Sequence, residues 1–335
     1  MDDLTDSTAR VAAGSGFSGV VRVDRAGGTL LEQAHGLAHR GFEIPHEVDT
    51  QFAIASGGKA FTALAVVRLI EDGVLSWDTT ARSVLGDDLP LIADDVTVEH
   101  LLAHRSGIGD YIDEDEGDPE PDDYLLRSPV HRLATTEPFL AEVDGFPTKF
   151  PAGERFAYCN SGFIVLALIA ERASRTPYHD LVAEQVLRRA GLADTAFLRS
   201  DEPSGRMALG YLYAEGLRTN VLHLPVRGNG DGGIYTTAAD LRRFWTAFLG
   251  GRIVSEMTAA RMTRPRSDVP EDDARYGLGF WLNATGHAVV LEGMDAGVSF
   301  RSAHDPVTDT TWTVLANSSE GAWPLARHLR QSLGF

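Results

Sequence analysis

Lysine is almost absent from this chain: of its 30 basic residues, Lys59 and Lys149 alone are lysines, and the rest are arginines. Cysteine occurs once, at Cys159, which excludes an internal disulfide and removes the usual ligand set of a Cys/His zinc site. No stretch reaches the ~18 continuous apolar residues of a membrane span. The opening Met1-Asp2-Asp3-Leu4-Thr5-Asp6 carries neither the basic start nor the apolar core of a secretory leader, which predicts a cytoplasmic protein. Positive charge is in deficit. With 30 basic against 48 acidic residues the formal net charge is −18, so the surface repels nucleic acid and anionic lipid, and both are excluded as partners. An acidic surface of this kind serves solubility. What remains is a globular chain of 335 residues, long enough for two domains or for one with a large insertion.

Against that scarcity Lys59 is informative. It stands three residues after Ser56, in Ser56-Gly57-Gly58-Lys59, at the head of an apolar run from Ala60 to Ile70. On a helix the i, i+3 spacing puts the two side chains on one face, within reach of each other. An amine partly withdrawn from water can give up its proton, as an arginine cannot, and could help activate a serine nucleophile. A serine at this place could equally cap the helix. A second constellation, Tyr158-Cys159-Asn160-Ser161, falls at a loop-to-helix junction after Pro151-Ala152-Gly153. A phenolate is stabilised by a nearby ammonium, which makes a tyrosine beside a lysine a usable general base. Cys159 reads as a small space-filling thiol, and His104 as the anchor of a loop.

Along the chain, extended runs over Gly19 to Asp24 and Thr29 to Gln33 flank Arg25-Ala26-Gly27-Gly28, a hairpin that starts a sheet at the N-terminus. A buried helix is predicted from Ser56 to Asp72, stopped by Gly73. Helical periodicity continues over Val98 to Ala103, Gly162 to Ala173, Tyr178 to Arg189 and Thr237 to Leu249, the last opening on a Thr-x-x-Asp cap. Strand signals return at Tyr276 to Asn283, His287 to Leu291, Gly297 to Ala303 and Thr311 to Ala316, before a closing helix over Ala322 to Leu333. Strands from both chain ends then form one antiparallel sheet, with the middle helices as a separate lobe. The run 113–123, acidic and broken by prolines, reads as a solvated loop placed where it could act as a lid.

The motifs taken together resemble the serine β-lactamase and penicillin-binding-protein superfamily, in its class C-like branch of D-alanyl-D-alanine carboxypeptidases and esterases. The resemblance runs through Gly16-Phe17-Ser18-Gly19-Val20-Val21, the Ser56-x-x-Lys59 signature, residues 96–107, Tyr158-x-Asn160, residues 232–241, and Tyr276-Gly277-Leu278-Gly279-Phe280. It implies an α/β plus all-α, β-lactamase-like (DD-peptidase/transpeptidase-like) fold. An α/β domain over 1–77 and 226–335 would carry the antiparallel sheet and flanking helices, with a mainly helical lobe over 78–225 inserted. Carried across by position, Ser56 is the acylated nucleophile, Lys59 its proton partner and Tyr158 the base. Asn160 holds the substrate carbonyl side or orients Lys59. The backbone N–H groups of Ser56 and Met294 form the oxyanion hole. No metal and no organic cofactor is implied.

One motif departs from the family's pattern. Where a basic residue followed by a small polar one and a glycine would stand, this chain reads Leu291-Glu292-Gly293-Met294-Asp295. A leucine cannot bind the carboxylate of a penicillin or of a peptide C-terminus, whereas Gly293 still allows close approach of a substrate backbone, and Glu292 or Asp295 could hold a substrate amine. The expectation is therefore a serine hydrolase acting on an ester or amide of a small, uncharged or amine-bearing substrate, with ester hydrolysis foremost. A β-lactamase or D-alanyl-D-alanine carboxypeptidase, a D-amino-acid amidase or aminopeptidase, and a non-catalytic ligand-binding relative are the alternatives. The oligomeric state is left open.

Overall fold

The computed structural model describes residues 2–113 and 126–335. Among them, eight strands form one sheet. In chain order they are β1 (Gly19–Arg25), β2 (Gly28–His35), β3 (Ser267–Val269), β4 (Ala274–Tyr276), β5 (Trp281–Asn283), β6 (Val289–Asp295), β7 (Val298–Asp305) and β8 (Thr310–Ala316). The order across the sheet is β2-β1-β8-β7-β6-β5-β4-β3, antiparallel throughout. The N-terminal hairpin thus docks on the last strand, in a register running from Gly19 opposite Ala316 to Arg25 opposite Thr310.

Both faces of the sheet are covered, which is why β8 is apolar or β-branched and buried along its whole length. Alternate residues divide between two cores. Val21, Val23, Val290, Trp312 and Val314 pack under helices α1 (Asp2–Ser15) and α5 (Ala322–Leu333). Val20, Leu291, Phe300 and Leu315 join the larger core with α2 (Lys59–Glu71), α3 (Asn160–Ser174) and α4 (Ala238–Leu249). The α2 and α3 stretches are apolar nearly all round because both run through that core. On α4, Trp245 sends its indole N–H to Ser302 Oγ at 2.9 Å, a buried hydrogen bond that ties the helix to β7.

Three expectations are corrected. The sheet does not begin the fold, since α1 precedes it. The single strand expected over Tyr276 to Asn283 is two, β4 and β5, because the chain turns at Gly277 and Gly279. Gly279 has φ +83 and a Cβ there would lie 2.4 Å from Ala63 Cβ, so the turn rests directly on α2. The helix expected from Tyr178 to Arg189 is interrupted by a π turn over Ala183–Leu187. Of the acidic run, Asp113 meets Lys149 at 2.5 Å, while residues 114–123 lie outside the described residues. No helix among the described residues is long and apolar enough to cross a membrane.

Candidate active site

Ser56 lies in a 3-10 turn, Ala55–Gly58, that leads into α2. Ala55, the residue before it, holds a left-handed φ of +43, a conformation costly for a residue with a side chain and kept only where its surroundings enforce it. One such neighbour is β6. A Cβ at Gly293 would stand 2.4 Å from the Ile54 carbonyl oxygen and 2.8 Å from the backbone nitrogens of Ser56 and Gly57. A glycine is required there because two backbones touch.

The Ser56 hydroxyl makes no cap bond to the helix start; it meets the amine one turn on. Lys59 is 2% exposed, and its Nζ donates to Ser56 Oγ at 2.9 Å, to Asn160 Oδ1 at 2.7 Å and to the Asp231 carbonyl oxygen at 2.8 Å. The Asn160 amide is oriented by its other end, where Nδ2 donates to the Ile112 carbonyl at 3.1 Å. Nζ also lies 4.9 Å from the centre of the Tyr158 ring. That ring packs against His104, 4.3 Å between centres, and stacks on Trp281 at 6.0 Å and 14°. Ser56, Lys59, Tyr158 and Asn160, up to about a hundred residues apart in sequence, are thereby gathered at one place. His104 holds its loop as expected: Nδ1 accepts the Cys159 N–H at 3.0 Å. Burial, and then the Lys59 charge, keep its imidazole well below the usual histidine range, so it is neutral there.

A further layer was not legible in the sequence. The start of α3 has no side-chain cap of its own. Asp110 supplies one from a distant loop, accepting the N–H of Asn160 at 2.6 Å, of Ser161 at 2.8 Å and of Tyr111 at 2.9 Å. Burial pushes the Asp110 carboxyl up, and the Ser161 and Asn160 N–H groups oppose the shift. Tyr111 donates its hydroxyl to Asp231 Oδ2 at 2.5 Å. Asp231 lies in a turn closed by Asn229 and Gly232 exchanging backbone hydrogen bonds. The use of its carbonyl by Lys59 has no sequence signature, because every residue type carries that oxygen.

The changed third motif lies on β6. Leu291 is buried in the larger core. Gly293 shares that face, so the strand's alternation turns Glu292 and Met294 to the other one. There Glu292 meets its cross-strand neighbour Arg301 at 2.9 Å, and burial raises its carboxyl. The Met294 side chain is exposed, while its backbone runs alongside the Ser56 turn. Asp295 begins the turn into β7, its Oδ1 taking the Ala296 N–H at 2.9 Å, and its charge reaches Tyr111.

These groups open on a cavity of about 450 Å³, lined by Ser56, Tyr158 and Asn160. One wall is apolar, with Leu126, Leu198, Leu224 and Val226; Asp231, Asp295 and Glu320 are acidic residues of the lining, the Glu292 stretch of β6 borders it with its carboxylate paired to Arg301, and no lysine or arginine is among the described residues that line it. Among the described residues no group of His, Cys, Asp and Glu is arranged to hold a metal ion.

A family model described as Beta-lactamase matches residues 7–333. A putative penicillin-binding protein of Bacillus subtilis (strain 168) is 28% identical over 269 residues, 80% of this chain and 62% of its own length. An esterase of Burkholderia gladioli is 32% identical over 206 residues, 57% of this chain and 49% of its own. The crystal structure of a penicillin-binding protein from Bacillus halodurans is similar with TM-score 0.90 and 34% identity, covering 97% of this chain and 99% of that one. The chain spans about 60% of the length of the first curated relatives it matches.

Proposed function

The chain belongs to the Beta-lactamase family, a family of serine hydrolases on the β-lactamase fold, and from that premise we propose that it hydrolyses an ester or amide through an acyl-enzyme on Ser56. The observation that carries this reading is the placement of Lys59 Nζ, held at once by Ser56 Oγ, Asn160 Oδ1 and the Asp231 carbonyl under the Tyr158 ring. In acylation Ser56 Oγ attacks the substrate carbonyl carbon and its proton passes to the Tyr158 phenolate. The tetrahedral oxyanion is met by the backbone N–H groups of Ser56 and Met294, and the leaving group departs with the proton from Tyr158. In deacylation a water gives a proton to Tyr158, its oxygen bonds to the acyl carbon, and Ser56 leaves and regains its hydrogen.

The lining argues for the substrate class. With Leu291 buried, the Glu292 carboxylate paired with Arg301, and Asp231, Asp295 and Glu320 but no lysine or arginine among the described lining residues, an anionic substrate meets repulsion, and the neighbouring Lys59 amine is already held by three acceptors. A neutral or amine-bearing substrate with an apolar group for the Leu198 and Val226 wall suits the cavity, and an uncharged ester demands least of it. Short p-nitrophenyl esters should be turned over and a fluorophosphonate should label Ser56. The Ser56→Ala variant should lose at least about three orders of magnitude in rate. A protein that neither turns over esters nor takes the label would refute the reading.

The carboxylate lining also favours a second reading, an amidase or aminopeptidase holding the substrate amine near Asp295. Release of ammonia from D-amino-acid amides, with no turnover of p-nitrophenyl esters, would replace the first reading with this one. Rapid nitrocefin hydrolysis would instead restore the β-lactamase alternative.

A further inference from the structure

We propose that Trp281 is the wall against which the departing alcohol of the ester is held, and that the substrate is accordingly an ester of an uncharged aromatic alcohol. This rests on the reading of Ser56, Lys59 and Tyr158 just given. The turn that carries Ser56 is wedged between two backbones. On one side a Cβ at Gly293 of β6 would lie 2.8 Å from the Ser56 nitrogen, and on the other a Cβ at Gly232 would lie 2.6 Å from the Ala55 carbonyl oxygen. The Gly232 side leads to Tyr235, which pairs with Ala53 and Ala196, and to the bridge between Arg199 and Arg227, and so carries the aliphatic wall of Leu198 and Val226. The β6 side carries Trp281 of β5, the cross-strand neighbour of Val290. Each side of the serine thus has its own apolar surface, aliphatic on one and aromatic on the other.

Tyr158 decides which part of the substrate meets which surface. Its ring lies within 14° of parallel to the Trp281 indole, 6.0 Å between centres, and both residues line the cavity. As acylation completes, Ser56 Oγ is bonded to the acyl carbon, the bond from that carbon to the alcohol oxygen breaks, and the departing oxygen takes the proton held by Tyr158. That oxygen must lie within hydrogen-bond reach of Tyr158, so the group it carries falls on the side of Trp281, and the acyl group is left to the aliphatic wall. The indole is set before any substrate arrives, because Tyr276 meets it edge-on at 4.9 Å and 88° and Phe156 at 6.0 Å and 65°. It is also left open. Trp245 and Trp312 are 0% and 1% exposed, whereas Trp281 stays partly exposed and lines the cavity. The exposed Met294 and, at the start of α5, Trp323 continue the same lining. A flat ring packs on an indole and gains again from a thioether at its edge. With Asp295 and Glu320 in the lining and no lysine or arginine among the described residues that line it, the alcohol carries no negative charge.

The test uses phenyl, naphthyl and trifluoroethyl acetate, which form the same acetyl-enzyme and differ only in the alcohol. The reading is kcat/KM, which covers only the steps up to release of that alcohol, in wild type, Trp281→Leu and Trp281→Phe. Wild type should take naphthyl acetate in preference to phenyl acetate. Trp281→Leu should lose about 3- to 10-fold more on naphthyl acetate than on trifluoroethyl acetate. Trp281→Phe should recover most of that difference, and the ratio of phenyl butyrate to phenyl acetate should not move. An equal loss on every ester overturns the proposal, since the indole would then only support the Tyr158 ring. A shift in the butyrate-to-acetate ratio in place of the alcohol effect overturns it as well, by putting the acyl group on Trp281. If Trp281→Leu does not fold, wild type and Trp281→Phe decide: an active, labelled wild type that does not distinguish naphthyl from phenyl acetate overturns this proposal alone. A wild type that hydrolyses none of the esters and takes no fluorophosphonate overturns the serine hydrolase reading, and this proposal with it.

Discussion

At the scale of single residues, the scarcity of lysine points to Lys59 but for an incomplete reason. An arginine is excluded there by more than its fixed proton. Three acceptors lie 2.7 to 2.9 Å from one nitrogen, a compact, divergent set that an ammonium satisfies and a planar guanidinium fork does not. Gly293 carries an equally local constraint. An alanine there puts a methyl carbon 2.4 Å from the Ile54 carbonyl and 2.8 Å from the Ser56 nitrogen, and backbone cannot rotate away as a side chain would. Gly293→Ala should therefore cost about 1–3 kcal/mol of stability and displace the serine turn. Urea denaturation and the rate of fluorophosphonate labelling check the two effects, and wild-type values in both would show that β6 can give way.

At the scale of elements, Asp110 joins a loop to a helix. Replacing it by alanine leaves the N–H groups of Asn160 and Ser161 without their acceptor, while that of Tyr111 keeps Ser161 Oγ at 3.0 Å, a loss of about 2 kcal/mol at roughly 1 kcal/mol each. Because Asn160 orients Lys59, Asp110→Ala should also lower kcat more than it raises KM, a split that steady-state kinetics on a p-nitrophenyl ester measures. The same element shows what sequence can and cannot reveal. The apolar run Phe163 to Ala170 announces a buried α3, as the closing glycine and the apolar run announced α2, and the Thr237 cap and the Ala322 to Leu333 helix are where periodicity puts them. These are short-range signals. The capping carboxylate at Asp110 and the carbonyl of Asp231 lie 50 and 172 residues from the groups they hold, so no local pattern marks them. The break between β4 and β5 was missed for a related reason: it is imposed by contact with α2, which an alternating strand pattern does not record.

At the scale of the whole molecule, folding lowers five imidazoles by drawing them out of water: His35, His46, His104, His179 and His304. His46 stacks on Phe52 and His179 donates from Nε2 to the Gly228 carbonyl oxygen at 2.8 Å; burial lowers each to about 4, and burial and the Lys59 charge hold His104 well below the usual histidine range. Their folded values lie below the ~6.5 of an unfolded histidine. The stability they contribute is therefore present above pH ~6.5 and is lost as pH falls toward 4, because the unfolded chain binds protons that the folded one refuses. Asp110, Asp231 and Glu292, raised by burial, act with the opposite sign, since the folded form takes up their protons first. The histidine part is isolated by difference. In His46→Gln/His179→Gln two of the five contributions vanish, and between pH 6 and pH 5 the unfolding free energy should fall less steeply than in wild type, by up to about 1.4 kcal/mol per pH unit for each ring removed. Urea titrations at the two pH values give both slopes. Equal slopes would mean that the two rings take up protons inside the folded protein, and that burial does not hold them neutral.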